Sequence, residues 1–234
     1  VKISDIEVGL VDSCGNDLSV VNAARVSFDK ESCWEFYHAC EADVEDGISS
    51  KKLKKEDEKL INYLAKHKHF SPFNHSFISV RVKAPIFVAR QLVKHKFLPW
   101  NEVSRRYVDS EPEFYLPQYW RKRAENVKQG SSEKSVNICD EDGYNPAEHN
   151  IYCLNELYKD LLKANVCPEQ ARMLLPQNTM TEWIWSGTLG AFASMLKLRL
   201  DEHTQYETRI VAEKIKEIIS PLFPVSLNAL LENV

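Results

Sequence analysis

The chain has 234 residues, 44% hydrophobic and 27% charged, with a formal net charge of −4. That length and apolar content suffice to bury one sizeable core, so a single domain over residues 1–234 is expected. No apolar run approaches the ~20 residues that cross a bilayer, and the mild negative charge offers no long-range basic field for a polyanion. Membrane and nucleic-acid partners are therefore not expected.

In chain order, VKISDIEVGLVDS alternates as a strand over about residues 2–12 and lacks the basic-then-apolar build of a signal peptide. A soluble, intracellular, cytoplasmic protein is expected. A turn at Gly15-Asn16-Asp17 leads into DLSVVNAARVSF, a short helix with Asp17 or Ser19 as its cap. Residues 29–53 mix Lys, Glu, Asp and Ser and read as an inserted surface excursion. The helix that follows carries Leu60, Ile61 and Leu64 at helical spacing and stops at SPFNH. SFISVRVKA then alternates as a strand, with Ile78, Val80 and Val82 on one side and Phe77, Ser79, Arg81 and Lys83 on the other. Pro85 opens the next helix, IFVARQLV.

Residues 121–145 are polar and turn-rich and read as a second, mobile insertion. From Pro146 the chain is mainly helical, first with Ile151, Leu154, Leu157, Leu161 and Leu162 as an apolar stripe. PEQARMLLP predicts a short helix and NTMTEWIWSG an extended segment. LGAFASMLKLRL and QYETRIVAEKIKEIISPLF predict two further helices. Few strands among longer helices make the fold α/β or α+β, a small mixed sheet with several long helices. The six cysteines (Cys14, Cys33, Cys40, Cys139, Cys153 and Cys167) show no CxxC pair and read as reduced thiols.

The chemistry concentrates in RQLVKHKFLPWNEVSRRY, residues 90–107. Lys94, His95 and Lys96 fall at a helix C-terminus, where the macrodipole favours cations. Glu102, Ser104 and Arg106 alternate at a spacing of two and would share one face of an extended segment. A carboxylate there can accept from ribose hydroxyls and a guanidinium can grip phosphate bidentately. Spacing alone also allows a solvated basic face for Arg90, Lys94, Lys96, Arg105 and Arg106. His67, His69, His75 and His95 could be drawn as a metal site, but HxH on a helix end splits the rings between faces and no HExxH is present, so no metal is expected.

KHKFLPWNEVSRRY resembles the RHR-x-x-S-x-N-E-x-S-x-R-Y motif of flavin-dependent thymidylate synthases. DLSVVNAARVSF, LAKHKHFSPFNH, VKAPIFVARQ, ARMLLPQNTMTEWIW and LKLRLDEHTQYETR resemble further blocks of that family, in its order. The resemblance implies that family's fold, assembly as a homotetramer, and reductive methylation of dUMP to dTMP. Methylenetetrahydrofolate would donate the carbon, reduced FAD the hydride, and NADPH would reduce the flavin. It also implies roles for residues. Arg199 would stabilise charge on the pyrimidine as the first catalytic candidate, with Ser104 polarising the base. Gln91, Glu102, Val103, Ser104, Arg105, Arg106, Arg172 and Arg199 would bind dUMP; on its own, Arg172 reads as a helix-surface arginine. Ser27, Ser71, Asn74, Lys94, His95, Lys96, Glu102, Thr188, Ser194 and His203 would bind FAD, and His69 and Tyr107 would lie by the folate.

Departures cluster at the flavin positions. Lys94 and Lys96 replace arginines, Pro99 a serine and Asn74 a glutamate, while Thr188, Gly190 and Ser194 stand for Asn, Arg and Asn. Exchanging planar forks for point charges loses bidentate geometry. Two alternatives stay open beside the synthase: a dUMP-binding homologue with changed redox chemistry, such as a deoxyuridylate hydroxymethylase, and a non-enzymatic nucleotide-binding protein.

Overall fold

The computed structural model describes residues 1–37, 50–125 and 130–233. The predicted first strand is divided into β1 (Lys2–Ile3) and β2 (Glu7–Cys14) by Ile6, which turns into the core. After β2, Gly15 takes a φ of 88°, and a Cβ there would meet Ser76 Oγ at 2.7 Å. Only glycine makes that approach without strain. The cap of α1 (Asp17–Arg25) is Asn16, not Asp17 or Ser19. Asn16 Oδ1 accepts from the Ser19 amide and Ser19 Oγ accepts from the Asn16 amide, a capping box. Asp17, freed from that duty, is buried and accepts from the amides of Val225 and Ser226.

The excursion expected over 29–53 supplies β3 (Glu35–Tyr37) and β4 (Ser50–Lys52), an antiparallel pair; residues 38–49, including Cys40, lie outside the described residues. The helix α2 (Lys55–Lys66) buries Ile61, Leu64 and also Asp57, whose carboxylate is held by Arg25 and Ser32. Pairing of both partners is what makes a buried charge tolerable.

The alternation in FISVRVKA works as a period of two requires. β5 (Phe77–Pro85) buries Ile78, Val80 and Val82 and turns Phe77, Ser79, Arg81 and Lys83 the other way. Pro85 then caps α3 (Ile86–Leu92). After β6 (Trp100–Glu102) the expected extended run to Arg106 fails. The chain leaves the sheet edge after one further bond, Val103 N to Glu182 O, and turns at Ser104–Tyr107 with Tyr107 N donating to Ser104 O. Polar groups alternate here as in a strand, but among the described residues no neighbouring strand pairs with Ser104–Arg106.

β7 (Glu113–Phe114) pairs in parallel with β1. The segment expected as a loop over 121–145 contains much of a hairpin, β8 (Trp120–Arg123) with β9 (Ser131–Val136). Next, α4 (Pro146–Lys163) starts where predicted, capped by Asn145, yet it buries Ile151, Asn155 and Tyr158 and leaves Leu157 47% exposed. The leucine stripe therefore pointed part of a turn away from the face that packs. α5 (Pro168–Ala171) runs into a 3₁₀ turn at Arg172–Leu174. β10 (Met180–Thr188) and α6 (Leu189–Arg199) form where predicted. The helix expected over QYETRIVAEKIKEIISPLF stops at Ile219 as α7 (Tyr206–Ile219), and a further helix for which the sequence reading makes no prediction, α8 (Pro224–Asn233), completes the chain.

The main sheet has the order β2-β5-β10-β6, antiparallel throughout. Trp183 pairs with Val82 and Trp185 with Val80, so both indoles join the buried valines under α3, α6 and α7. Full burial of such side chains contributes about 1.5–3 kcal/mol each. The opposite face is polar, with Ser79 bonded to Ser186 and Arg81 paired with Glu182. Among the described residues no helix is long and apolar enough to cross a membrane.

Candidate active site

The helix α3 stops at Leu92, where Val93 N donates to Ala89 O, and the chain then fans out its basic triplet. Lys94 and Lys96 are exposed, whereas His95 folds inward against Trp185, ring centroids 6.3 Å apart. From the end of α6, Arg199 Nε donates to His95 Nε2 at 2.9 Å, and Arg199 Nη2 donates to the Gln91 carbonyl at 3.4 Å. Burial, reinforced by the Arg199 charge, holds His95 down at a pKa of about 4. The ring is therefore neutral near pH 7, with Nε2 accepting and the proton on Nδ1. Burial also lowers the pKa of Arg199.

Gln91 lies one turn before this contact, and both ends of its amide are held. Thr208 Oγ1 donates to Gln91 Oε1 at 3.2 Å, and Gln91 Nε2 donates to Gln205 Oε1 at 2.5 Å. Gln91, Arg199, His203 and Gln205 share a cavity of ~760 Å³, roofed by the β8–β9 hairpin through Arg121 and Ser131.

Glu102, Val103, Arg105 and Arg172 lie in a second cavity of ~690 Å³. Glu102 is oriented from two sides, by Thr181 Oγ1 at 2.7 Å and Trp100 Nε1 at 3.0 Å. Arg172 spends only its Nε, on Glu169 O at 3.3 Å, so among the described residues its terminal nitrogens remain available to an anion. Arg105 Nη1 donates to Ser110 O, and Arg106 curls back so that its Nε meets Ser104 Oγ at 3.3 Å and its guanidinium covers the Tyr107 ring. Tyr107 itself is 76% exposed.

A third group gathers at the N-terminus of α6. Thr188 Oγ1 donates to Asn74 Oδ1 at 2.8 Å and accepts from Ala191 N, capping the helix. A Cβ on Gly190 would lie 2.6 Å from Asn74 Oδ1, so that glycine lets the SPFNH turn seat against α6. Ser71 and Ser27 are exposed nearby on turns that pack around α1 and α6. Ser194 donates to Gly190 O within its own helix. Eleven residues at 1.5 Å each put the Asn74–Thr188 end of α6 about 16 Å from the Arg199–His95 end. His69 is exposed and stacks with Tyr63 at 6.3 Å.

Within one chain, then, the residues expected at dUMP divide between two cavities, except Ser104 and Arg106, which line neither. Those expected at the flavin divide between the two ends of α6, except Ser194 in its middle and Glu102 on β6. Four site neighbours had no role in the sequence reading: Arg121, Gln205, Glu207 and Thr208. Arg121 and Glu207 are 86 positions apart, and no periodicity links them.

Taken together, the sheet, the basic turn and the paired cavities describe an α/β protein equipped for an anionic nucleotide. The family model for thymidylate synthase complementing protein matches residues 9–225. The flavin-dependent thymidylate synthase of Thermosipho africanus is 35% identical over 227 residues, covering 95% of this chain and 90% of its own. That of a Thermus thermophilus strain is 36% identical over 230 residues, covering 97% and 76%. Among solved structures, the UMP/dUMP methylase PolB from Streptomyces cacaoi bound with 5-Br dUMP superposes with a TM-score of 0.78 at 31% identity, covering 98% of this chain and 96% of its own. The chain belongs to the thymidylate synthase complementing protein family, the flavin-dependent thymidylate synthases.

Proposed function

We propose that this protein catalyses the reductive methylation of dUMP to dTMP as a single-domain, FAD-dependent enzyme, with methylenetetrahydrofolate as carbon donor and NADPH as reductant. The observation that carries the reading is the Arg199–His95 contact. A neutral ring steadies the guanidinium without competing for negative charge, and Gln91 stands beside it. Carbon 5 of uracil is a poor nucleophile, and activating it drives negative charge onto the base. A fixed cation can stabilise that charge without giving up its proton.

The remaining roles follow from residue chemistry. Arg172 offers free guanidinium nitrogens to the phosphate, with Arg105 and Arg106 beside the same stretch of chain. Glu102 accepts from a sugar hydroxyl, its orientation held by Thr181 and Trp100, with Val103 alongside. Ser104 polarises the ligand through its hydroxyl; no described histidine sits against it to act as its base.

The donor set fits a flavin dinucleotide. Lys94 and Lys96 are exposed and unpaired among the described residues, Ser27 and Ser71 offer free hydroxyls, and Asn74 Nδ2 has no described partner. Two cations and several neutral donors suit a diphosphate. Thr188, Ser194, His95, His203 and Glu102 complete that set, and His69 and Tyr107 present exposed rings for a folate to stack on. Bound FAD would supply the hydride that turns a transferred methylene into a methyl group. Division of the candidates between separate cavities supports a homotetramer whose sites draw on more than one subunit. So do the exposed Phe28, Phe97, Met173 and Leu198.

The test is an anaerobic assay with FAD, NADPH and methylenetetrahydrofolate, offering dUMP and UMP separately and weighing the product. Formation of dTMP is expected. A hydroxymethylated pyrimidine, or dUMP binding by a colourless protein without turnover, would overturn the synthase reading.

A further inference from the structure

A primary amide has a donor end and an acceptor end of nearly the same shape, so an unrestrained glutamine can turn over and read either polarity. Uracil and cytosine differ in that respect. Uracil offers N3–H beside a carbonyl at carbon 4, and cytosine offers a bare N3 beside an amino group. A glutamine fixed one way round pairs with the first and opposes the second.

Gln91 is fixed one way round, and the cause can be traced outward. Glu207 is 4% exposed, and its Oε1 accepts from Arg121 Nη2 at 2.8 Å, an ion pair with side-chain exposures of 15% and 6%. Its Oε2 accepts from Gln205 Nε2 at 3.1 Å. A paired carboxylate has no proton to give, so Gln205 must turn its NH₂ to Glu207 and its carbonyl to Gln91. Gln91 must then direct Nε2 toward Gln205 and leave Oε1 to Thr208. The threonine hydroxyl can rotate and act either way, so it follows this arrangement and does not dictate it. Among the described residues the only other contact of Gln91 Nε2 is Phe87 O at 3.5 Å, too long to hold it. Arg121 is itself anchored by Ser131 at 2.7 Å and lies over the Tyr206 ring at 4.5 Å.

We propose that Glu207 is a specificity-determining positioning residue: acting through Gln205, it sets the polarity of the Gln91 amide so that the site accepts a uracil edge and refuses a cytosine edge. This rests on the reading that Gln91 lies in the nucleotide site beside Arg199. The same logic fixes what Glu207→Gln must do. Arg121 still demands an acceptor at Oε1, so the new amide turns its NH₂ to Gln205, and each glutamine along the line reverses in turn.

The experiment is calorimetric titration of dUMP and dCMP into the full chain and into Glu207→Gln, Gln205→Leu and Gln91→Ala, with thermal melts to check folding. Wild type should prefer dUMP. Glu207→Gln should weaken dUMP and tighten dCMP, shifting their ratio at least ~10-fold, the scale of one bidentate edge contact. Gln205→Leu cuts the line while leaving the Arg121–Glu207 pair intact, and should lose most of the preference without inverting it. That variant keeps the question open to test should Glu207→Gln fail to fold. An unchanged dUMP to dCMP ratio in the folded variants, with Gln91→Ala weakening dUMP, would overturn the relay alone. If Gln91→Ala binds dUMP as wild type does, the position given to Gln91 falls, and this proposal with it.

Discussion

Arg199 Nε donates to His95 Nε2 across 2.9 Å, a cation resting against a ring that burial keeps neutral. The contact joins the end of α6 to the turn after α3, and it decides what the first two substitutions should do.

Arg199→Ala should lower turnover of dUMP by roughly 10²–10³-fold, the usual effect of removing one preorganised group from a developing charge. Melting should change little, because Arg199 sits at the last helical position and its bonds go to one ring and one carbonyl. Steady-state kinetics beside a thermal melt check both halves; wild-type turnover would remove the catalytic assignment.

Acid should expose the state of His95. Its pKa falls from an ordinary 6.5 to about 4 on folding, so between those values the unfolded chain binds more protons than the native one. Stability from this group is complete above about pH 6.5 and declines as pH falls toward 4. His95→Gln lacks that decline. The stability of wild type relative to His95→Gln should therefore diminish between pH 7 and pH 4.5 in urea melts, and a constant difference would show that the ring is not held neutral.

Lys94→Arg and Lys96→Arg should each tighten FAD, by roughly 3- to 10-fold, if the lysines stand where planar forks can engage the diphosphate. Quenching of flavin fluorescence on titration measures it. Weaker binding in both variants would mean that the ammonium groups are used in a geometry of their own.

Gly187→Ala tests how the sheet supports the basic turn. A Cβ there would lie 2.4 Å from Leu98 Cδ2 and 3.0 Å from Phe97 O. Phe97 already holds a φ of 62°, in the left-handed region. Overpacking of this kind costs about 1–3 kcal/mol. A drop of several degrees in melting temperature is expected, with weakened FAD binding because Phe97 follows Lys96. An unaltered melt would show that the turn yields freely.

The elements that sequence reading placed well are those whose local pattern and burial coincide. β5 and β10 alternate because one face lies under helices, and α3 begins after a proline, Pro85, whose fixed φ suits a helix start. Reading failed where a pattern arose without a packing partner. Glu102, Ser104 and Arg106 keep a spacing of two, yet the chain beyond Val103 has no described strand beside it and turns. The leucines of α4 gave a stripe, but Asn155 and Tyr158 are buried in its place. The site divides the same way. Its basic triplet and its carboxylate were legible from one stretch of chain, whereas Arg121 and Glu207 meet only because a hairpin folds over α7. No local rule announces a contact between a polar insertion and a helix start.

Asp17 links the two ends of the described chain in a further sense. Its carboxylate is 2% exposed and serves as the cap of a helix 208 residues downstream, accepting from Val225 at 2.9 Å and from Ser226 at 2.9 Å. Detaching α8 would break both hydrogen bonds to that carboxylate at once, a loss that falls on the two helices together. The pair should thus melt as one cooperative unit, with their amide protons surrendering to deuterium together, however far apart they stand in the covalent order.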